Sequence, residues 1–185
     1  MKTVILNGSP RKNGDTAALI TAFRECIGGE IYQANSYTCG ISPCIDCRYC
    51  WTHTVCAIKD GMSELIEQIN QADIIVIASP VNFSELSGSL LSLASRLQLI
   101  WAAKWFQHIE LLDDKLRHGI ILLAGGGDGS PDRAVVTAKI LLRQMKAEFA
   151  GAVISANTNT LAAADDPDAL SEIHKLAEKL INGDK

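Results

Sequence analysis

The stretch "DIIVIAS", residues 73–79, sets five apolar side chains in a row with no polar alternation. A strand with one wet face alternates apolar and polar residues. An unbroken apolar run marks a strand covered on both faces, the condition of a parallel sheet held between two helical layers. "HGIILLAG" (118–125) repeats the pattern, and "KTVILN" (2–7) is a shorter run of the same kind ending in the turn signal "NGSPRKNGD". "EIYQANSY" (30–37) alternates, as a half-buried or edge strand does, and "AGAVISANT" (150–158) reads as the last strand.

Between these runs the period changes to that of a helix. Ala17, Ile20, Thr21, Ala22 and Phe23 share a face that ends at the glycines 28–29, and Met62, Leu65, Ile66 and Ile69 recur at helical spacing in 62–72. "GSLLSLASRLQLIWAA" (88–103) is a strongly apolar helix. Residues 130–149 open with Ser130 as cap and Pro131 at the first helical position, and residues 166–183 open with Asp166 and Pro167 and stop near Gly183. Five strands alternating with five helices predict an α/β three-layer sandwich around a parallel sheet. So short a chain favours the strand order 2-1-3-4-5, the flavodoxin-like arrangement, over the six-stranded dinucleotide fold. The expectation is one domain over residues 1–185, interrupted by a cysteine-rich loop at 38–60.

Composition narrows the function. Forty-eight per cent apolar and 21% charged residues are ordinary for a globular chain, and a net charge of −4 without a basic block argues against nucleic-acid binding. The N-terminal "MKTVILNGSP" is too short in its apolar run for a signal peptide, and no run approaches the ~20 residues that span a bilayer. A cytoplasmic protein without membrane association is the expectation.

In an open parallel sheet the ligand lies beyond the carboxyl ends of the strands, at the switch between the first and third. Three loops belong to that edge: "GSPRKNGDT" (8–16), "SPVNFSELSG" (79–88) and "AGGGDGSPD" (124–132). The first offers the Ser9 and Thr16 hydroxyls, Arg11 and a helix N-terminus, which suits one terminal phosphate and hence FMN. It lacks the glycine spacing of dinucleotide and nucleoside-triphosphate loops. An ordinary turn with a helix cap has the same residues. The segment from Pro80 to Phe83 offers exposed N–H groups against which a flat ring can lie, and the glycines after strand four permit close approach, although a plain flexible turn also accounts for them.

Five of six cysteines fall within 39–56, and in a reducing compartment such a cluster points to metal or redox chemistry rather than disulfides. Cys44, Cys47, Cys50 and Cys56 follow C-x2-C-x2-C-x5-C, which lets four thiolates converge on an iron–sulfur cluster, on zinc, or remain a redox-active thiol set. Cys39 opens a rival C-x4-C-x2-C pattern without a distant fourth cysteine. His53 is a further candidate ligand, and Cys26 reads as a small core residue.

"ILNGSPRKNGDT" (5–16), "PCIDCRYCWTHTVCAIKDGM" (43–62), "ASPVNFSELSGSL" (78–90) and "LLAGGG" (122–127), in this order, resemble the NADPH-dependent FMN reductase family and within it the iron–sulfur flavoprotein branch. The resemblance implies non-covalent FMN with its phosphate held by Ser9, Arg11, Asn13 and Thr16. Pro80, Val81, Asn82 and Phe83 would line the ring, with Gly125 and Gly126 on its other side. It implies a [4Fe–4S] cluster on Cys44, Cys47, Cys50 and Cys56, and a homodimer or homotetramer with the flavin near subunit interfaces. Two departures stand out. Asn82 replaces the usual aromatic, and the run "SLLSLASRLQLIW" (89–101) keeps only Arg96 of the family's "LKAFIDR"-like charges.

The leading expectation is a redox protein that passes electrons between a donor such as ferredoxin or NAD(P)H, FMN and the cluster. An NAD(P)H-dependent FMN or quinone reductase without a cluster is the alternative, and a non-enzymatic zinc-stabilised binding domain is a third reading. Trp101, Trp105 and Phe106 suit either a subunit interface or a cover for the sheet.

Overall fold

A computed structural model describes residues 1–183. Among them, five strands form one parallel sheet in the order β2-β1-β3-β4-β5: β1 (Lys2–Asn7), β2 (Glu30–Asn35), β3 (Ile74–Pro80), β4 (Arg117–Ala124) and β5 (Ala147–Ser155). The period of two sends alternate apolar residues to opposite faces. Val4, Leu6, Ile75, Ile77, Ile121 and Leu123 pack with α2 (Met62–Gln71), α3 (Gly88–Ala94), α4 (Gln98–Ala102) and α5 (Asp132–Gln144). Ile5, Ile74, Val76, Ala78, Ile120 and Leu122 pack with α1 (Asp15–Ile27) and α6 (Pro167–Asn182). The central strands β1, β3 and β4 are thus buried on both sides, and β2 and β5 are the partly exposed edges. This is the flavodoxin-like order. No helix among the described residues is long and apolar enough to cross a membrane.

Two boundaries depart from the sequence reading. The helix expected over 88–103 is four pieces: α3, a 3₁₀ turn (Ser95–Leu97), α4 and a π turn (Ala103–Gln107) that ends at His108 in a left-handed conformation. Ser95 Oγ donates to Ser92 O at 2.6 Å, a back-bond that tightens the helix at the point where it narrows. The helix expected to reach 149 stops at Gln144. Lys146, at φ 53°, turns the chain, so β5 begins at Ala147 and carries a bulge opposite Gly119/Ile120. Ser130 does not cap α5 directly. Pro131 occupies the cap, and Ser130 Oγ accepts from Asp132 N–H at 3.2 Å. Asp166 caps α6 through Ala169 N–H, with Pro167 at the first position.

Candidate functional site

The three loops expected to form a site are tied together at the carboxyl edge of the sheet. Gly8 N–H donates to Ala78 O at 2.7 Å, Val81 N–H to Ala124 O at 2.8 Å, and Gly125 N–H to Ser155 O at 2.9 Å, so each loop is anchored on the next strand. In the β1–α1 turn, Ser9 is buried. Its N–H donates to Asn7 Oδ1, its carbonyl accepts from Asn35 Nδ2, and its Oγ accepts from Arg11 N–H. Helix α1 starts at an extended Gly14 with no capping side chain, which leaves its first N–H groups and the positive end of its dipole free for an anion. Asp15 sits in that first turn, yet its charge is engaged elsewhere. One oxygen pairs with Arg11 at 3.3 Å and the other accepts from Ala163 N–H at 3.1 Å. Thr16 is buried in the same turn, and Asn13 is exposed on its outside.

The β3–α3 loop holds a surprise in its backbone. Asn82 and Glu85 exchange both backbone hydrogen bonds, and the two residues between them, Phe83 and Ser84, are both left-handed at φ 52° and 62°. That is the geometry of a tight hairpin turn usually supplied by Asn-Gly. It projects Phe83 wholly into solvent, at 101% exposure, so Phe83 stands off the protein rather than against a pocket wall. Pro80 and Val81 stay at the sheet edge, with Val81 against Gly125. Glu85 links this loop to α5 by accepting from Thr137 Oγ1 at 2.8 Å, and Ser84 O accepts from Ala134 N–H. On the far side, a Cβ on Gly126 would collide with Asn159, whose amide donates to Gly126 O.

The cysteine segment folds down the outside of α3 and α4 rather than across the edge. Cys44 N–H donates to Ser95 Oγ at 2.9 Å, and Gln107 Nε2 donates to both Cys50 O and His53 O. Ser95 lies eight residues beyond Ser87, which stands against Gly8, so at 1.5 Å per residue the thiols begin about 12 Å along the helix from the β1–α1 turn. Cys44, Cys47, Cys50 and Cys56 all line one cavity of about 760 Å³, walled on its other side by Leu91, Trp101 and Ile140 among others. All four are free thiols. Burial pushes the Cys50 thiol up, and its three cysteine neighbours push the same way. Asp46 and Arg48, at φ 50° and 59°, supply the two left-handed corners that turn the chain between successive cysteines. Among the described residues no three Cys, His, Asp or Glu side chains meet at metal-binding spacing. Cys39 packs against the core on the helix α2 side, away from the four, and Cys26 pairs with His174 Nδ1 at 3.2 Å. His53 is stacked on Tyr49 and held by Thr52 and by Tyr49 O.

A family model described as NADPH-dependent FMN reductase matches residues 1–161. The chain belongs to that family. An iron–sulfur flavoprotein of Methanocaldococcus jannaschii is 31% identical over 99 residues, 52% of this chain and 51% of the relative. One of Archaeoglobus fulgidus is 27% identical over 130 residues, 69% of this chain and 56% of the relative. The matches thus span about half the length of these curated relatives. Among solved structures, an azoreductase from Bacillus anthracis superposes with a TM-score of 0.70 at 16% identity over 97% of this chain and 99% of that one. An FMN-dependent NADH-azoreductase from the same species, in complex with FMN, gives 0.66 at 19% identity, over 97% and 99%. At these identities the structures establish the fold.

The three edge loops come together at the carboxyl end of the sheet, whereas Phe83 stands off it and the cysteine segment runs down the helix, and several residues that shape these loops carry no sequence signal. Asn7 and Asn35 hold Ser9, Asn159 backs Gly126, Gln107 braces the cysteine loop, and Asp60, accepting from Ser42 N–H and paired with Arg96, closes it. Only Asn7, in an Asn-Gly-Ser turn, had a local pattern that could have pointed to its role.

Proposed function

We propose that this chain is an FMN-dependent redox protein of the iron–sulfur flavoprotein type. The observation that carries the reading is that four free thiols line one cavity, in a family whose members act with FMN. FMN would have its phosphate at the β1–α1 turn, with Ser9, Arg11, Asn13, Thr16 and the free N–H groups of α1 as donors. Pro80, Val81 and Asn82 on one side, and Gly125 and Gly126 on the other, would bound its ring, with Phe83 free to fold onto it or onto a neighbouring molecule. The donor set suits a [4Fe–4S] cluster in kind, four cysteine thiols lining one cavity, and uptake of the cluster would draw them closer than they stand in the free protein. When bound, the two groups supply electron storage and transfer, the flavin in pairs or singly and the cluster singly. The protein's part is to hold the phosphate, exclude water from the ring and keep the thiols together without an acid–base residue.

The family, together with a structural neighbour that is an FMN-bound NADH-azoreductase, favours NAD(P)H as donor, and ferredoxin is a second candidate. Trp101, Trp105 and Phe106 are exposed and pack on one another, with Trp51 against Phe106, and such a patch suits assembly as a homodimer or homotetramer. The spacing of the thiols, short of ligand convergence, favours a cluster-free NAD(P)H-dependent FMN or quinone reductase as the second reading.

Anaerobic purification followed by visible spectroscopy and iron analysis separates these. Flavin bands with a broad shoulder to longer wavelength and bound iron are expected, and Cys47→Ser is expected to remove the iron while FMN stays. Flavin bands alone would leave the cluster-free reductase, and a colourless, zinc-loaded protein that takes up no FMN would leave a zinc-stabilised binding domain.

A further inference from the structure

The cysteine loop is closed at its base by one guanidinium. Arg96 is 2% exposed, and it forks onto Asp60: Nη1 reaches Oδ2 at 2.8 Å and Nη2 reaches Oδ1 at 3.0 Å. The same Nη1 donates to Ser42 O at 2.7 Å, while Ser42 N–H donates to Asp60 Oδ2 at 3.1 Å. Asp60 Oδ1 also accepts from Met62 N–H at 3.1 Å, which fixes the start of α2. Ser42 and Asp60 therefore meet on Arg96, and all four cavity cysteines lie on the chain between them. Arg96 Nε is buried without a hydrogen-bond partner, and the Cys56 thiol is among the groups that favour the charged form of Arg96. A buried, unpaired N–H on a cation is costly unless something negative completes it.

We propose that Arg96 is the positioning residue of the cysteine site: with Asp60 it clamps the two ends of the loop, and its one unpartnered donor, Nε, is left for Cys56 and whatever anionic group the four thiols hold. Asp60 balances the single charge of the guanidinium but engages only Nη1 and Nη2, so Nε keeps an N–H to offer a thiolate-bound centre. Arg117 is the contrasting case. It is equally buried, but its fork is used up on the carbonyls of Ile69, Asn70, Asp113 and Lys115, and it serves as a helix cap. Arg96 differs in having one donor left over beside a thiol.

The part of this proposal that concerns the bound centre rests on the iron–sulfur reading, and the test keeps the two apart. In FMN-loaded full-length protein stripped of metal, amide hydrogen exchange is compared among wild type, Arg96→Gln, Arg96→Lys and Asp60→Asn. The amides of Ser42, Cys44 and Met62 are expected to exchange roughly tenfold or more faster in all three variants, with those of β3 unchanged. In anaerobically reconstituted protein, Arg96→Gln is expected to shift the midpoint potential of the centre to a more negative value, and Arg96→Lys, which keeps the charge, to stay near wild type. Should Arg96→Gln fail to fold, Asp60→Asn still reports on the clamp. Unchanged exchange at Ser42 and Met62 overturns the clamp, and equal potentials for wild type and Arg96→Gln overturn the electrostatic role. A wild type that takes up no iron refutes the cluster reading instead, and exchange alone then decides the clamp.

Discussion

Gly8→Ala isolates the contact that joins the β1–α1 turn to the loop and helix after β3. Gly8 is not left-handed, so alanine suits its backbone and the effect is steric alone. A Cβ there would lie 2.7 Å from Ser87 Oγ and 3.0 Å from Leu90 Cβ and Cδ2, well inside ordinary van der Waals contact. Neither neighbour gives easily. Ser87 Oγ caps α3 by accepting from Leu90 N–H, and Ser87 N–H is held by Ser79 Oγ at 2.9 Å. Gly8 cannot retreat without giving up its hydrogen bond to Ala78 O. Over-packing of this kind costs about 1–3 kcal/mol, and losing the serine cap adds about 1 kcal/mol. Over a chain of this size that is a fall in Tm of roughly 4–16 °C. Because the displaced element carries the turn proposed to hold the phosphate, FMN affinity is expected to fall with it. Thermal melts by circular dichroism and FMN titration of the apoprotein read both effects, and Ser87→Gly in the same background is expected to restore part of each. A Gly8→Ala protein that melts within a degree of wild type and binds FMN equally would refute the packing described.

Two further expectations concern the loops. Asp60 meets a desolvation penalty, but its bonds from Arg96, Ser42 and Met62 more than offset it and hold its pKa below the usual aspartate value. The sign follows: a carboxylate with a depressed folded-state pKa stabilises the loop fully above the ordinary value of ~3.9 and loses that contribution as pH falls through the folded value. Trp51 fluorescence in acid titrations is therefore expected to show a loop transition in wild type that Asp60→Asn lacks, the variant being already loosened at neutral pH. Phe83→Gly relieves a left-handed, solvent-exposed aromatic and is expected to gain about 1 kcal/mol in urea unfolding. If Phe83 folds onto the ring when FMN binds, the same substitution weakens FMN binding, and unchanged affinity shows that it stays in solvent.

How far the sequence carried this picture depends on whether a feature is local. The buried strands were legible because covering both faces of β3 and β4 leaves an unbroken apolar run, and α6 was legible from Asp166, Pro167 and Gly183. The end of α5 was not, because a left-handed Lys146 has no signature and the apolar residues of 145–150 suit strand and helix alike. The broken helix at 95–107 answers to Ser95 and Gln107 reaching the cysteine loop, and no period of 3.6 records such long-range partners. Within the candidate site, Ser9 and Thr16 follow from their place after β1. The exposed turn at Phe83 does not, since "NFSE" contains no glycine to announce positive φ. The Asp60–Arg96 pair spans 36 residues, and only the fold brings it together. The grouping of four cysteines was legible from their spacing, but the course of their loop down the helix was not.

Titration of the apoprotein with FMN and, in parallel, with riboflavin tests the central claim most directly, because the two differ only in the phosphate assigned to the β1–α1 turn. One or two charge-assisted hydrogen bonds at about 1.5–3 kcal/mol each put FMN ahead of riboflavin by roughly a hundredfold in Kd. FMN binding at one per chain with that preference, lost on Thr16→Val or Arg11→Ala in proportion to the bonds removed, is the expected result. Equal affinity for the two flavins, or no binding of either, would contradict the placement of the cofactor.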